Sequence, residues 1–332
     1  MRKVDQLLWA LFALFGLALA QPITSDNNWE HGLYPIYAGG TKDEKINCFL
    51  LDEANGLVIV GGNTTSSDFA PAANDHGFLF ALDLEGNWMW SKFIYNVSYA
   101  VSDISGCQLN SDGASMTVLG MGNSAPVIMD INTSDGIINK YISLEYIETS
   151  SDVVPEYQMY GAIYNDKADF FDGKNYIYVA FLMDSKLEFL RLHNTNEPVV
   201  DWSYEFTDDD ATTVGDLYRR KDPQFLHTDP KDDQSIYMSG RYFGRGAVMK
   251  FQKRNAKLRW FAYFGKMLNV RAWSQIPDDE HFYICGDYND ADVDSANDDV
   301  DDLEAVDYSA SIARMKNDGS VRWYIRATGP IP

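Results

Sequence analysis

The chain's 332 residues are 45% hydrophobic and 14% aromatic, which suits a protein with a large core and excludes a disordered one. With 49 acidic against 27 basic residues the formal charge is −22, a balance that excludes nucleic acid and anionic membrane as partners and favours cations or basic surfaces. Three cysteines, Cys48, Cys107 and Cys285, are too few for a disulfide-built scaffold.

The chain opens "MRKVDQLLWALFALFGLALAQP": two basic residues, an apolar run from Leu7 to Ala20, and a small-residue end. This predicts a signal peptide over residues 1–20 and a secreted domain over 21–332. No later apolar run reaches the roughly 18 residues that a membrane span needs. In the secretory compartment the sequons at Asn63, Asn96 and Asn132 are glycosylation candidates. The segment "LYPIYAGG" (33–40) has the pattern of "RWFAYFGK" (259–266) and predicts an extra outer strand.

A repeat then organises the chain. The strand patterns "GLVIVGG", "SMTVLGMG", "NYIYVAF", "SIYMSGRY" and "HFYICGDY" align on Gly61, Gly120, Ala180, Gly240 and Gly286, at spacings of 59, 60, 60 and 46. A period of that size fits one four-stranded sheet per repeat. Each is followed by a second apolar run, a turn, and a third run that carries Trp90, Trp202, Trp260 or Trp323. The second repeat departs, with Lys140-Tyr141 at the tryptophan position. Gly86 to Trp90, Ala256 to Trp260 and Gly319 to Trp323 share an offset of four, as a hairpin of fixed register requires, so the tryptophans are read as packing between sheets. A further run precedes each repeat: "INCFLLD", "ISGCQLN", "KADFFDG" (167–173), "PQFLHTD" and "VRAWSQI". Cys48 and Cys107 each fall thirteen residues before the aligned Gly, and equivalent positions on adjacent inner strands do not reach disulfide distance, so both are expected to be reduced. The reading is an all-β protein, a β-propeller of four-stranded blades at about 46–94, 104–144, 160–206, 223–264 and 270–326. The extra strand leaves two endings open: further blades beyond Pro332, or five blades with an edge strand.

The stretch "VIVGGNTTSSDFAPAANDHGFLFALDLEGNWMWSKF" (58–93) resembles the bacterial-type β-propeller repeat, in which a Gly-ending strand and a Ser-Asp-Phe segment precede an outer hairpin ending in Trp. The Trp after a Gly turn is also similar to the quinoprotein-like propeller. The resemblance implies a propeller over residues 33–328 and, since the quinone ligands have no counterparts here, no cofactor site.

Chemistry is sparse. Asp290, Asp292, Asp294 and Asp298 stand in D-x-D-x-D-x-x-x-D spacing, which can wrap oxygen ligands around calcium. Ser295 and Asp301 replace the Gly and Glu of an EF-hand, and a solvated acidic loop is the alternative reading. Between Gln234 and Pro277 there are nine cations and no acid, including Arg241, Arg245, Lys250, Lys253, Arg254, Lys257 and Arg259, whereas Asp278 to Asp307 holds thirteen acids and no cation. A basic fourth and an acidic fifth repeat predict head-to-tail association with itself or with a protein partner. No catalytic motif occurs, although Asn47, Gln108, His227 and Ser274 could converge at a central channel. The expected function is a non-catalytic, secreted interaction or structural module; the alternatives are a glycan-binding propeller and a glycoside-cleaving or quinone-dependent enzyme.

Overall fold

The computed structural model describes residues 39–66, 76–96, 99–110, 113–122, 125–144, 161–166, 169, 171–183, 186–195, 199–206, 221–229, 232–242, 245–264, 267–275, 280–288 and 309–326. The expected signal peptide and most of the extra strand at 33–40 lie outside them.

Strand follows strand through five antiparallel sheets, each hydrogen-bonded in chain order. Blade 1 is β1 (Glu44–Asp52), β2 (Leu57–Thr64), β3 (His76–Asp83) and β4 (Trp88–Phe93); a short ribbon, β5 (Tyr95–Asn96) and β6 (Tyr99–Ala100), follows it. Blade 2 is β7 (Asp103–Leu109), β8 (Ser115–Met121), β9 (Pro126–Asn132) and β10 (Ile138–Ser143), and blade 3 is β11 (Gly161–Asp166), β12 (Tyr176–Met183), β13 (Lys186–His193) and β14 (Val200–Phe206). Blade 4 is β15 (Lys221–Asp229), β16 (Asp232–Tyr242), β17 (Arg245–Gln252) and β18 (Leu258–Phe264); blade 5 is β19 (Met267–Gln275), β20 (His281–Tyr288), β21 (Ser309–Lys316) and β22 (Val321–Arg326). The arrangement is a five-bladed β-propeller, as the repeat predicts. In blade 3 the first strand is Gly161–Asp166, and Phe171 and Asp172 of the expected strand 167–173 form a turn instead.

Alternation along the strands builds the core, because side chains two apart share a face and each face meets a different neighbour. Met116 and Val118 of β8 pack into blade 1, while Leu119 and Met121 pack into blade 3. Ile177 and Val179 of β12 face blade 2, whereas Tyr176 and Tyr178 face blade 4. The cores described thus join blades 1–2, 2–3, 3–4 and 4–5, with a smaller cluster around Phe78 and Phe80 in blade 1 alone.

Blade 5 differs. In β20 the residues Phe282 and Ile284 are buried against blade 4, but Tyr283, Cys285 and Asp287 on the opposite face stay partly exposed. Its outer strand β22 is open along its length, with Val321 45%, Trp323 37%, Tyr324 37% and Ile325 56% exposed.

The expectation of reduced Cys48 and Cys107 is overturned. The two form a disulfide between blades 1 and 2, with Cα atoms 5.5 Å apart. The aligned glycines mislead here, because the counterpart of Gly120 is Gly62 and not Gly61: each pairs with the residue before an equivalent bulge, Ile104 and Ile46. Cys48 pairs with Gly61, but Cys107 pairs with Val118. A one-residue offset turns a side chain to the other face of its strand, so the two thiols point at each other.

Candidate functional site

One cross-strand row recurs in every blade, and it is set by strand pairing. It reads Ile59–Ala81–Trp90 in blade 1, Thr117–Asp130–Lys140 in blade 2, Tyr178–Arg191–Trp202 in blade 3, Tyr237–Lys250–Trp260 in blade 4 and Tyr283–Arg314–Trp323 in blade 5. The last residue of the row reaches across to the next blade. Trp90 Nε1 donates to Thr133 O at 2.8 Å, Trp202 Nε1 to Lys253 O at 2.9 Å, and Trp260 Nε1 to Asn317 O at 3.1 Å. Each acceptor is the first residue past the third strand of the following blade, where the hairpin turn begins.

The turn is shaped to take the indole. Gly136 and Gly319 hold φ of 70° and 89°. A Cβ there would come within 2.8 Å of the Trp90 ring and 2.9 Å of the Trp260 ring, so glycine is needed for both the conformation and the space. Ala256 occupies the corresponding place in blade 4 at φ 54°, in the left-handed region that disfavours a Cβ.

In blades 3 and 4 the middle residue adds a cation. Arg191 lies 3.5 Å from the Tyr176 ring centroid, pairs with Asp169 at 2.9 Å and with Asp201 at 3.3 Å, and donates to the same Lys253 carbonyl at 3.4 Å. Lys250 pairs with Asp232 at 2.7 Å, sits 5.1 Å from the Tyr237 ring centroid, and donates to Asn317 O at 3.5 Å. Burial pushes the phenols of Tyr178 and Tyr237 well above the ordinary tyrosine range, so both remain protonated. The basic run of the fourth repeat is accordingly divided. Lys253 is buried and pairs with Asp166 of blade 3 at 2.6 Å, and Lys250 is held within its own row, whereas Arg254, Lys257 and Arg259 are exposed. Arg241 is partly buried with its own partners, and the side chain of Arg245 is outside what is described.

Of the candidate channel residues, three are tied to the neighbouring first strand. Asn47 donates to Asp103 Oδ1 at 3.1 Å and Ile104 O at 3.0 Å, and Gln108 accepts from the Asn165 N–H at 2.5 Å. His227 stacks on Trp273, with centroids 4.9 Å apart, and burial pulls its pKa down to about 3. Ser274 is exposed. Asn47, Gln108 and His227 thus stitch one first strand to the next.

Asp290, Asp292, Asp294 and Asp298 lie outside the described residues. Among the described residues no group of three or more acids, cysteines and histidines is placed to hold a metal, and no helix is long and apolar enough to cross a membrane. Of the sequons, Asn63 is only 7% exposed inside β2, Asn132 is partly exposed with its Oδ1 accepting from the Ser134 N–H and Oγ, and Asn96 ends β5. Cys285 is free, and burial followed by Asp287 raises its thiol pKa.

No protein-family model and no curated protein matches the chain. Solved structures do. A protein of unknown function from Bacteroides caccae aligns over 89% of this chain and 84% of its own at 10% identity and a TM-score of 0.53. Kuenenia stuttgartiensis hydrazine synthase aligns over 86% of this chain and 68% of its own at 14% identity and 0.48, and a periplasmic gluconolactonase from Pseudomonas aeruginosa over 84% and 68% at 7% identity and 0.46. The likeness is one of fold: this chain has the β-propeller architecture.

Proposed function

We propose that the protein is a secreted, non-catalytic β-propeller of the bacterial-type repeat class that associates head to tail through the outward face of blade 5. The observation that carries this reading is the Tyr283–Arg314–Trp323 row. Its counterparts in blades 3 and 4 grip the hairpin turn of the next blade with a tryptophan N–H and a cation, yet Trp323 is 37% exposed and Ile325 56% exposed. The occupant we assign is the blade 1 turn of a second copy, Asp83 to Asn87. It has the same build as the turns already gripped: Gly86 holds φ 87° and its N–H donates to Asp83 O, as Gly319 does to Lys316 O. Such a contact is heterologous, and it propagates where it does not close.

Arg254, Lys257 and Arg259 at the surface of blade 4 supply a basic edge, and the acidic segment between β20 and β21 supplies its complement and, with calcium, a steadying ion. The Cys48–Cys107 disulfide supports a secreted location, since such bonds persist in oxidising compartments.

Sedimentation velocity of the full chain tests the reading. Concentration-dependent association is expected, weaker in high salt and after chelation of calcium, and abolished by Trp323→Ala or Ile325→Asp. A wild type that stays monomeric at every concentration, or variants that associate equally well, would overturn it.

A further inference from the structure

Blade 2 breaks the row. Where other blades carry an indole, Lys140 projects toward blade 3, and its Nζ donates to Thr195 O at 2.5 Å and Asn194 Oδ1 at 3.3 Å. A lysine fills less of the gap between blades than a tryptophan. A cavity of about 100 Å³ remains there, lined by Lys140, Asp130, Asn110, Thr117, Asn165 and Asn194 on one side and by isoleucines, including Ile142 and Ile177, on the other.

Its polar wall is ordered. Asn110 Nδ2 donates to Ser115 Oγ at 2.8 Å and Asp130 Oδ1 at 3.2 Å; Thr117 Oγ1 donates to Asn110 Oδ1 at 2.7 Å; Asn165 Nδ2 donates to Asn110 Oδ1 at 2.9 Å and Thr117 Oγ1 at 3.0 Å. These bonds fix the orientation of the Asn165 amide. Its Oδ1 is left buried without a hydrogen-bond partner, on a residue only 9% exposed. Burial pulls the Lys140 pKa down, with the Asp130 charge opposing.

We infer that the cavity between blades 2 and 3 is a binding site for a small neutral polyhydroxy compound, held through adjacent hydroxyls. Three features select this chemistry. The wall sets a cation, Lys140, beside an anion, Asp130, so a ligand of either net charge meets a like charge. The Asp130 carboxylate accepts, while the ammonium of Lys140 donates, and a hydroxyl is a group that can answer both. Ile142 and Ile177 then offer an apolar surface for the C–H face of the same molecule. On the scale where a cavity of about 150 Å³ admits benzene, this one, at about 100 Å³, admits about four heavy atoms, the size of the diol edge of a triol or of one sugar.

Ligand-observed saturation-transfer NMR on the full chain tests the site, with glycerol as the free polyol and a methyl hexoside as the sugar end. Saturable binding of glycerol alone identifies a free polyol, and binding of the hexoside a sugar terminus. Lys140→Trp, which restores the residue of the other blades and fills the space, should weaken that binding by roughly tenfold or more; Lys140→Met, which keeps the volume and removes the donor, should weaken it by a similar factor. Trp323→Ala should leave it unchanged, which separates this site from the association face. No saturable binding of either probe, leaving a water-filled void, or binding to folded Lys140→Trp and Lys140→Met as tight as to the wild type, would overturn the inference.

Discussion

Cys107 stands one residue further along its strand than Cys48 does, and that single step turns the two thiols toward each other. The bulge in β1 falls between Ile46 and Cys48, and that in β7 between Ile104 and Gly106, so Gly106 is the true counterpart of Cys48. Gly106 faces blade 3, where a Cβ would lie 2.9 Å from Gly161 O, and its successor Cys107 therefore faces blade 1. The bridge closes a separation of 59 residues, for which loop-closure entropy of the denatured chain amounts to about 4 kcal/mol. The double variant Cys48→Ser, Cys107→Ser should lose about 2–4 kcal/mol in denaturant unfolding. Reduction of the wild type with dithiothreitol should reproduce the loss, and an unchanged midpoint would refute it.

The same substitution at two equivalent positions separates scaffold from surface. Trp202→Phe keeps an aromatic ring between blades 3 and 4 but removes the N–H that reaches Lys253 O, and should cost about 1–3 kcal/mol. Trp323→Phe, at a residue 37% exposed and in no core cluster described here, should change stability by about 0.5 kcal/mol or less. Chemical denaturation of both variants checks the contrast. Equal costs would mean that Trp323 is covered within the monomer.

The blades were legible because alternation and a period near 60 survive in the sequence, and the position of each tryptophan follows from hairpin register. Lys140 was visible as a departure from that pattern, but the cavity behind it was not, since its far wall, Asn165 and Ile177, comes from another blade. Which glycine of the Gly61-Gly62 pair matches Gly120 is likewise silent in sequence: the repeat pattern aligns Gly61 with it, whereas pairing with the first strands matches Gly62 with Gly120. That slip produced the wrong expectation for the cysteines. The basic run looked continuous because charge was counted along the chain. A turn carries Lys253 inward and leaves Arg254 outside, a distinction that no count of lysines and arginines contains.

Lys253 is therefore a structural cation. Its Nζ meets Asp166 Oδ2 at 2.6 Å with the two side chains 3% and 11% exposed, and its carbonyl receives Trp202. Removing one member of a buried pair strands the other charge, so Lys253→Met should cost about 3–5 kcal/mol. Pairing it with Asp166→Asn should recover part of that loss, because the orphaned charge is gone. Urea titrations of the two single variants and the double variant give the coupling, and strictly additive losses would show that the pair does not act as one.

His227 makes the fold sensitive to acid. Its ring is stacked between Phe225, with centroids 5.7 Å apart, and Trp273, at 4.9 Å, and its Nε2 is buried with no hydrogen-bond partner. Burial disfavours the imidazolium and pulls the folded-state pKa from 6.5 down to about 3. Between those values the unfolded chain binds a proton that the folded chain does not, so stability rises with pH across this window. The contribution is fully present above about pH 6.5 and is lost progressively as the pH falls toward about 3. His227→Phe keeps an aromatic ring in the stack and removes the titration. Thermal melts of the variant at pH 4 and pH 7 should therefore differ by less than those of the wild type, and an equal pH dependence in both proteins would locate the acid sensitivity elsewhere.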